Sequence, residues 1–312
     1  MSGVEGEYSY SLHLPSTGPA TGLVKESLTL GDRVLFCQAS DQPTKARGNS
    51  VQHIAPTVWT EEPALVEVPA AGKIALGRIP SLAEVVIAYT VLTDGIGCYT
   101  FHNDVMKRQG GNQKDIQSGL NDIAGNYLST MKEIVSNLQD LSIRRNIAAA
   151  LRRVNADVTS VELNDLKNPT HAVVGHQFGG RTLGLNLAQE SEGFRRFFAH
   201  LLALYQRPPK QLLMFEHPED GIHPGALALL AEEFLSTPGD DRGQIILTSH
   251  SPGLLDQFSE DQIRVVEREE FQTRIGSISR EQKAALHEQL MDPGELLTVD
   301  PARLDTVQAA TE

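Results

Sequence analysis

LLMFEHPEDGIHP, residues 212–224, and QIILTSHSP, residues 244–252, decide how this chain is read. Each joins a short apolar run to a cluster of ionisable or hydroxyl residues. That pattern belongs to buried parallel strands delivering their C-terminal ends to a ligand crevice. Leu212, Leu213, Met214 and Phe215 are too few for a helix and apolar at every position, so they predict a central strand covered on both faces. Glu216 stands at its end, where a carboxylate can hold Mg²⁺ directly or through water. The run at 244–247 repeats the design, and its end presents Thr248, Ser249, His250 and Ser251 before Pro252. Between the two, residues 225–235 carry Leu227, Leu230, Ala231 and Phe234 at helical spacing. The unit is therefore strand, helix, strand, and Glu216, His217, Glu219 and His250 are expected to converge.

These residues resemble the ATP-binding-cassette type ATPase heads related to the RecF, SMC and OLD proteins, the AAA-type core ATPases. In that family a strand ends in two acids and continues as a Pro-Glu-Asn-Gly-Leu-His-Pro-like run; here the string is Glu216, His217, Pro218, Glu219, Asp220, Gly221, Ile222, His223, Pro224. The next strand of the family closes in a Thr-His-Ser-Pro-like motif, matched by Ser249, His250, Ser251 and Pro252. Upstream, the family's Ser-x-Gly signature before a helix is matched by Ser191, Glu192 and Gly193. HEQLMDPGELL, residues 287–297, is similar to the closing helix and its Gly-Glu-Leu, and the resemblance spans residues 112–297.

The resemblance implies an α/β fold, a P-loop NTPase head with a mostly parallel core sheet, an N-terminal antiparallel β subdomain and a helical signature lobe. It implies ATP and Mg²⁺ as cofactors. Glu216, His217 and His250 become the expected catalytic residues, Glu216 also as the metal ligand. Ser191, Gly193, Glu219 and Asp220 become the expected cofactor-binding residues. In the family, the residue matched by His250 senses the γ-phosphate. The signature matched by Ser191 and Gly193 caps the nucleotide of an opposing head, and the loop matched by residues 220–223 crosses the dimer interface. A hydroxyl and N–H groups at a helix start suit an anion because donors and dipole point at it. Expected partners are ATP, a second head in a homodimer or heterodimer, and DNA through a partner or a local basic patch; no membrane is expected.

Two departures qualify the picture. His217 occupies the place of the glutamate that activates the attacking water, though an imidazole can accept a proton near neutrality. No G-x-x-x-x-G-K-[ST] loop is present, and the Gly72-Lys73 pair is followed by Ile74 without the upstream glycine. The loop's amide cradle and lysine are missing with it, so ATP binding by this chain alone is expected to be weak. Residues 7–14, 23–30 and 33–38 read as strands, with Gly31-Asp32 as a turn. This succession is similar to the antiparallel sheet that follows the phosphate loop, so the chain is expected to begin inside the fold. A gene start placed too late, a truncation and a loop supplied by another chain are all open.

The organisation expected is an antiparallel β subdomain at 1–80, a helical lobe at 81–175, the signature, Walker B and switch-histidine core at 176–300, and a disordered tail at 301–312. Helices are expected at 81–92, 120–138 and 143–154, a strand at 96–101 and a linker at 107–114. A 312-residue chain with 40% hydrophobic residues can bury a sizeable core. A formal charge of −13 argues against broad nonspecific contact with nucleic acid, leaving Arg144, Arg145, Arg152 and Arg153 as the local basic face. Two cysteines, no membrane-length apolar run and no secretory leader point to a cytoplasmic protein. Two alternatives stand beside the ATPase. One is a non-catalytic subunit completing a partner's ATP site. The other is a metallohydrolase built on Glu216, His217, Glu219, His223 and His250, whose spacing is unlike that of a zinc motif.

Overall fold

The computed structural model describes strands at 8–13, 25–30, 33–39 and 57–59, and residues 94–305 except 103, 105, 108–118, 137–140, 165–169, 241 and 270–271. The expected helix at 81–92, the Gly31-Asp32 turn, most of the linker and the end of the tail lie outside the described residues. The chain divides into two compact units, residues 1–95 and 96–312. The first holds an antiparallel sheet of β1 (Tyr8–His13), β2 (Lys25–Leu30), β3 (Arg33–Ala39) and β4 (Thr57–Trp59), in that order. Leu30 pairs with Arg33.

The second unit opens with β5 (Ile96–Tyr99), α1 (Tyr127–Ser136) and α2 (Leu141–Val154). An antiparallel meander follows: β6 (Val158–Asn164), β7 (His171–Phe178) and β8 (Arg181–Asn186). Then come α3 (Glu192–Tyr205), β9 (Leu212–Glu216), α4 (Leu227–Gly239), β10 (Gln244–Thr248) and the short α5 (Pro252–Leu255). The hairpin of β11 (Val265–Glu269) and β12 (Gln272–Gly276), α6 (Arg280–His287) and a 3₁₀ turn at Pro293–Leu297 complete the described chain. No helix among the described residues is long and apolar enough to cross a membrane.

The helix expected at 120–138 begins only at Tyr127. Buried Asn126 accounts for the delay: its Oδ1 accepts the Asn121 N–H at 2.9 Å and its Nδ2 donates to the Gly119 carbonyl at 2.8 Å, holding 119–126 as a loop. The helix expected at 225–235 is a 3₁₀ turn at Pro224–Ala226 that runs into α4.

The sheet that carries the site is parallel, ordered β10-β9-β5, with Ile96, Leu212 and Gln244 in one row and Tyr99, Phe215 and Leu247 in another. β9 is central, as expected, but it is not covered on both faces by described residues. Leu213 and Phe215 are buried, whereas Met214 is 37% and Ile246 50% exposed on the other face. The covered face belongs to the core cluster that contains α3, where every residue from Phe194 to Tyr205 is buried. α3 starts with the Ser191 hydroxyl accepting the Phe194 N–H, and it ends shortly before Pro208, whose ring disfavours helical geometry in the preceding residue.

His200 lies at the centre of this layer, packed against Phe101, Phe215 and Phe234 with ring centroids 4.9, 5.4 and 5.9 Å away. Its Nδ1–H donates to the Arg196 carbonyl at 2.7 Å. Burial pushes its pKa down from 6.5 to about 4, with Arg196 adding to the effect and the hydrogen bond opposing it. The folded value lies below the unfolded one, so between pH 6.5 and 4 the unfolded chain binds the extra proton and stability falls as pH falls. The loss is on the order of 3 kcal/mol by pH 4. Urea unfolding at pH 7 and pH 4.5 should show His200→Phe losing markedly less stability across that interval than the wild type; an equal loss would show that His200 is not the titrating group.

Candidate functional site

The parallel register makes Glu216 and Thr248 partners at adjacent strand ends. Thr100, just beyond β5, donates its hydroxyl to Glu216 Oε2 at 2.9 Å, so three neighbouring strands contribute to one exposed polar row. The sequence carries no signal for the Thr100 contact beyond a hydroxyl residue near the end of an apolar run. Mg²⁺ is usually bound by one or two carboxylates supplemented by waters and phosphate oxygens. A single exposed strand-end carboxylate fits that requirement and needs no protein cage.

After Glu216 the chain reverses in a tight turn. His217 takes φ 47°, a left-handed conformation costing a non-glycine residue roughly 1 kcal/mol. Three contacts hold it there. Its N–H donates to the Thr248 carbonyl at 3.1 Å, its own carbonyl accepts the Asp220 N–H at 3.1 Å, and its ring stacks on His250 at 5.0 Å with 26° between planes. Pro218 occupies the second position of the turn His217 to Asp220, where its fixed φ is favoured. The residue standing in place of the expected acid is thus packed against His250, with Nδ1 3.8 Å from Glu219 Oε1.

Glu219 is the joint of the site. Its Oε1 accepts both the Ser249 hydroxyl at 2.8 Å and the His250 N–H at 3.0 Å, while Oε2 is buried without a hydrogen-bond partner. Ser249 in turn accepts the Ser251 N–H at 3.0 Å, and Ser251 caps α5 through the Leu254 N–H. The SHSP stretch is therefore a helix start braced by the acidic loop. The turn at Pro293–Leu297 docks on the same helix, with the Gly294 N–H donating to Asp256 at 2.6 Å.

The signature residues meet the acidic loop through two glycines. A Cβ on Gly193 would stand 2.8 Å from the Gly221 carbonyl oxygen. Gly221 has φ +67°, and a Cβ there would stand 2.9 Å from Glu192 Oε1 and 3.0 Å from Arg196 Nε, which form an ion pair at 3.2 Å. Ser191 is exposed and caps α3; Asp220 is exposed on the loop; His223 accepts the Gly225 N–H at 3.0 Å and caps the following turn. His217, Glu219 and His250 thus form one connected group, Glu216 stands beside it at the strand end bonded to Thr100, and Gly193 abuts the loop that carries Asp220. Among the described residues no three His, Cys, Asp or Glu side chains gather to hold a metal ion. Of the basic face on α2, Arg152 donates to the Val158 carbonyl at 2.9 Å and Arg153 pairs with Glu232.

No curated protein matches the chain. Among solved structures, it is similar to one from work on ATP-driven dimerization and DNA stimulated activation of SMC ATPases, at 13% identity and TM-score 0.36 over 53% of this chain and 95% of that one. It is also similar to the Pyrococcus yayanosii Smc head domain with a coiled coil and joint, at 14% identity and TM-score 0.34, covering 54% of this chain and only 34% of that one. An Smc head bound to the C-winged helix domain of ScpA gives 11% identity and TM-score 0.40 over 83% and 69% of the two chains. These likenesses are too distant to carry the assignment. The assignment rests on residues 54–256, more than half of the chain, which match the family model described as "AAA domain, putative AbiEii toxin, Type IV TA system". The chain belongs to this AAA-domain family.

Proposed function

We propose that the chain binds ATP with Mg²⁺ at the C-terminal ends of β9 and β10 and that nucleotide drives it to pair with a second head, identical or different. The observation that supports this reading most directly is the Glu219 bridge. It joins the loop after the strand-end acid to the turn that carries His250, the two segments that would flank a bound nucleotide. Glu216 would hold Mg²⁺, and His250 would meet the γ-phosphate. Ser191 and Gly193, beside the loop with Asp220, would face the nucleotide of the opposing head. Residues 1–80, 81–175 and 176–300 would serve as antiparallel subdomain, helical lobe and site-bearing core.

Hydrolysis rests on His217. With a proton on Nδ1, turned toward Glu219, Nε2 is left to accept a proton from water. Bound Mg²⁺·ATP would supply the transferable phosphoryl group, while the chain's own work is positioning and electrostatic stabilisation. A second reading, a regulatory head that completes a partner's ATP site, is favoured by the same residue, because His217 is stacked under His250 where an acid would otherwise reach water. The process served, DNA repair or phage defence, would be set by partners rather than by the site.

Sedimentation of the chain with millimolar Mg²⁺·ATP should show a shift from monomer to dimer that ADP or EDTA abolishes, and Glu216→Gln should remove the Mg²⁺ dependence. Absence of both binding and dimerisation, with and without any coding sequence upstream of Met1, would sink the proposal. His217→Glu should raise ATP turnover by roughly a hundredfold, the lower end of what a positioned general base contributes. Unchanged or slower turnover would show that His217 does not occupy the water-activating position.

A further inference from the structure

The approach to Ser191 is held by a buried pair that no motif announces. His176, on β7, places Nε2 2.7 Å from Glu190 Oε1, with side chains only 3% and 9% exposed. Glu190 is the residue before Ser191. Its N–H donates to the Leu187 carbonyl at 3.1 Å, and its own carbonyl accepts from the Arg195 guanidinium. These two anchors are local to residues 187–195, whereas His176 reaches in from the antiparallel sheet. Phe178 stacks over the imidazole with centroids 6.0 Å apart.

A buried histidine and glutamate are a costly way to fill space, and apolar residues of similar volume are often as stable or more so. The arrangement does restrict geometry. With Nε2–H donating to Glu190, the carboxylate is fixed, and with it the backbone entering the first turn of α3. That turn carries Gly193, whose Cα lies against the Gly221 carbonyl. A displacement of a few tenths of an ångström at Glu190 would therefore be felt where the signature meets the acidic loop.

We infer that His176 is a positioning residue for the signature turn: through Glu190 it sets Ser191 and Gly193 for contact with an opposing head, without taking part in holding nucleotide on its own subunit. The inference rests on the ATP-driven pairing proposed above. It predicts a split between two properties of the full-length chain. His176→Ala should leave Mg²⁺·ATP affinity, read with a fluorescent ATP analogue, within about twofold, while ATP-driven dimerisation weakens roughly tenfold. His176→Gln, whose amide N–H can still reach Glu190, should recover most of the pairing. Dimerisation of His176→Ala at wild-type strength, or equal loss of both properties in both variants, would overturn the inference. Should His176→Ala fail to fold, the double variant His176→Leu/Glu190→Leu takes its place under the same criteria. Amide exchange separates this inference from the pairing itself: the Phe194 and Arg195 amides should exchange about tenfold faster in His176→Ala and return toward wild type in His176→Gln. Unchanged exchange would overturn the positioning role even if the wild type does not dimerise.

Discussion

One carboxylate oxygen, Oε1 of Glu219, accepts hydrogen bonds from the Ser249 hydroxyl and the His250 amide, and the site depends on that bridge. Parallel neighbours are joined only at distant points in sequence, so the loops leaving their C-terminal ends have no covalent reason to stay together. The bridge supplies the reason. It is partly buried, and losing a buried acceptor strands its donors at a cost of about 1–3 kcal/mol, more where a charge is involved. The acidic loop and the SHSP turn are thus locked in one arrangement, with His217 and His250 stacked between them.

The rest of the second unit supports that lock from below. α3 is buried along nearly its whole length and backs the face of the sheet that carries Leu213 and Phe215. Its first turn reaches the acidic loop because Gly193 and Gly221 leave room for backbone to approach backbone. Its entry is tied to the antiparallel sheet through His176 and Glu190. The signature helix thereby touches both the loop that would meet nucleotide and the sheet that lies apart from it.

Much of the fold was legible because its elements obey short periods. The strands at 212–216 and 244–248, the helical stripe of α2 and the start of α3 after Ser191 follow from short apolar runs, 3.6-residue spacing and capping. Periodicity overextends α1 at its start because a side chain, Asn126, competes with the helix for backbone groups, and no periodicity records that competition. β9 was read as covered on both faces because apolar residues occupy both, yet Met214 and Ile246 remain exposed among the described residues.

By itself, the sequence determined which residue types stand at the strand ends and in what order: Glu216, His217, Glu219 and the SHSP run. It also determined that an imidazole replaces the expected second acid, since that is a matter of spacing along one chain. Only tertiary structure decided what those groups do to one another. Glu219 braces the two loops because parallel pairing brings Ser249 and His250 to its carboxylate. Thr100 joined Glu216 across more than a hundred residues for the same reason. Hydrogen bonds and ring stacking act over a few ångströms in space, and local pattern does not encode which distant segments will come that close.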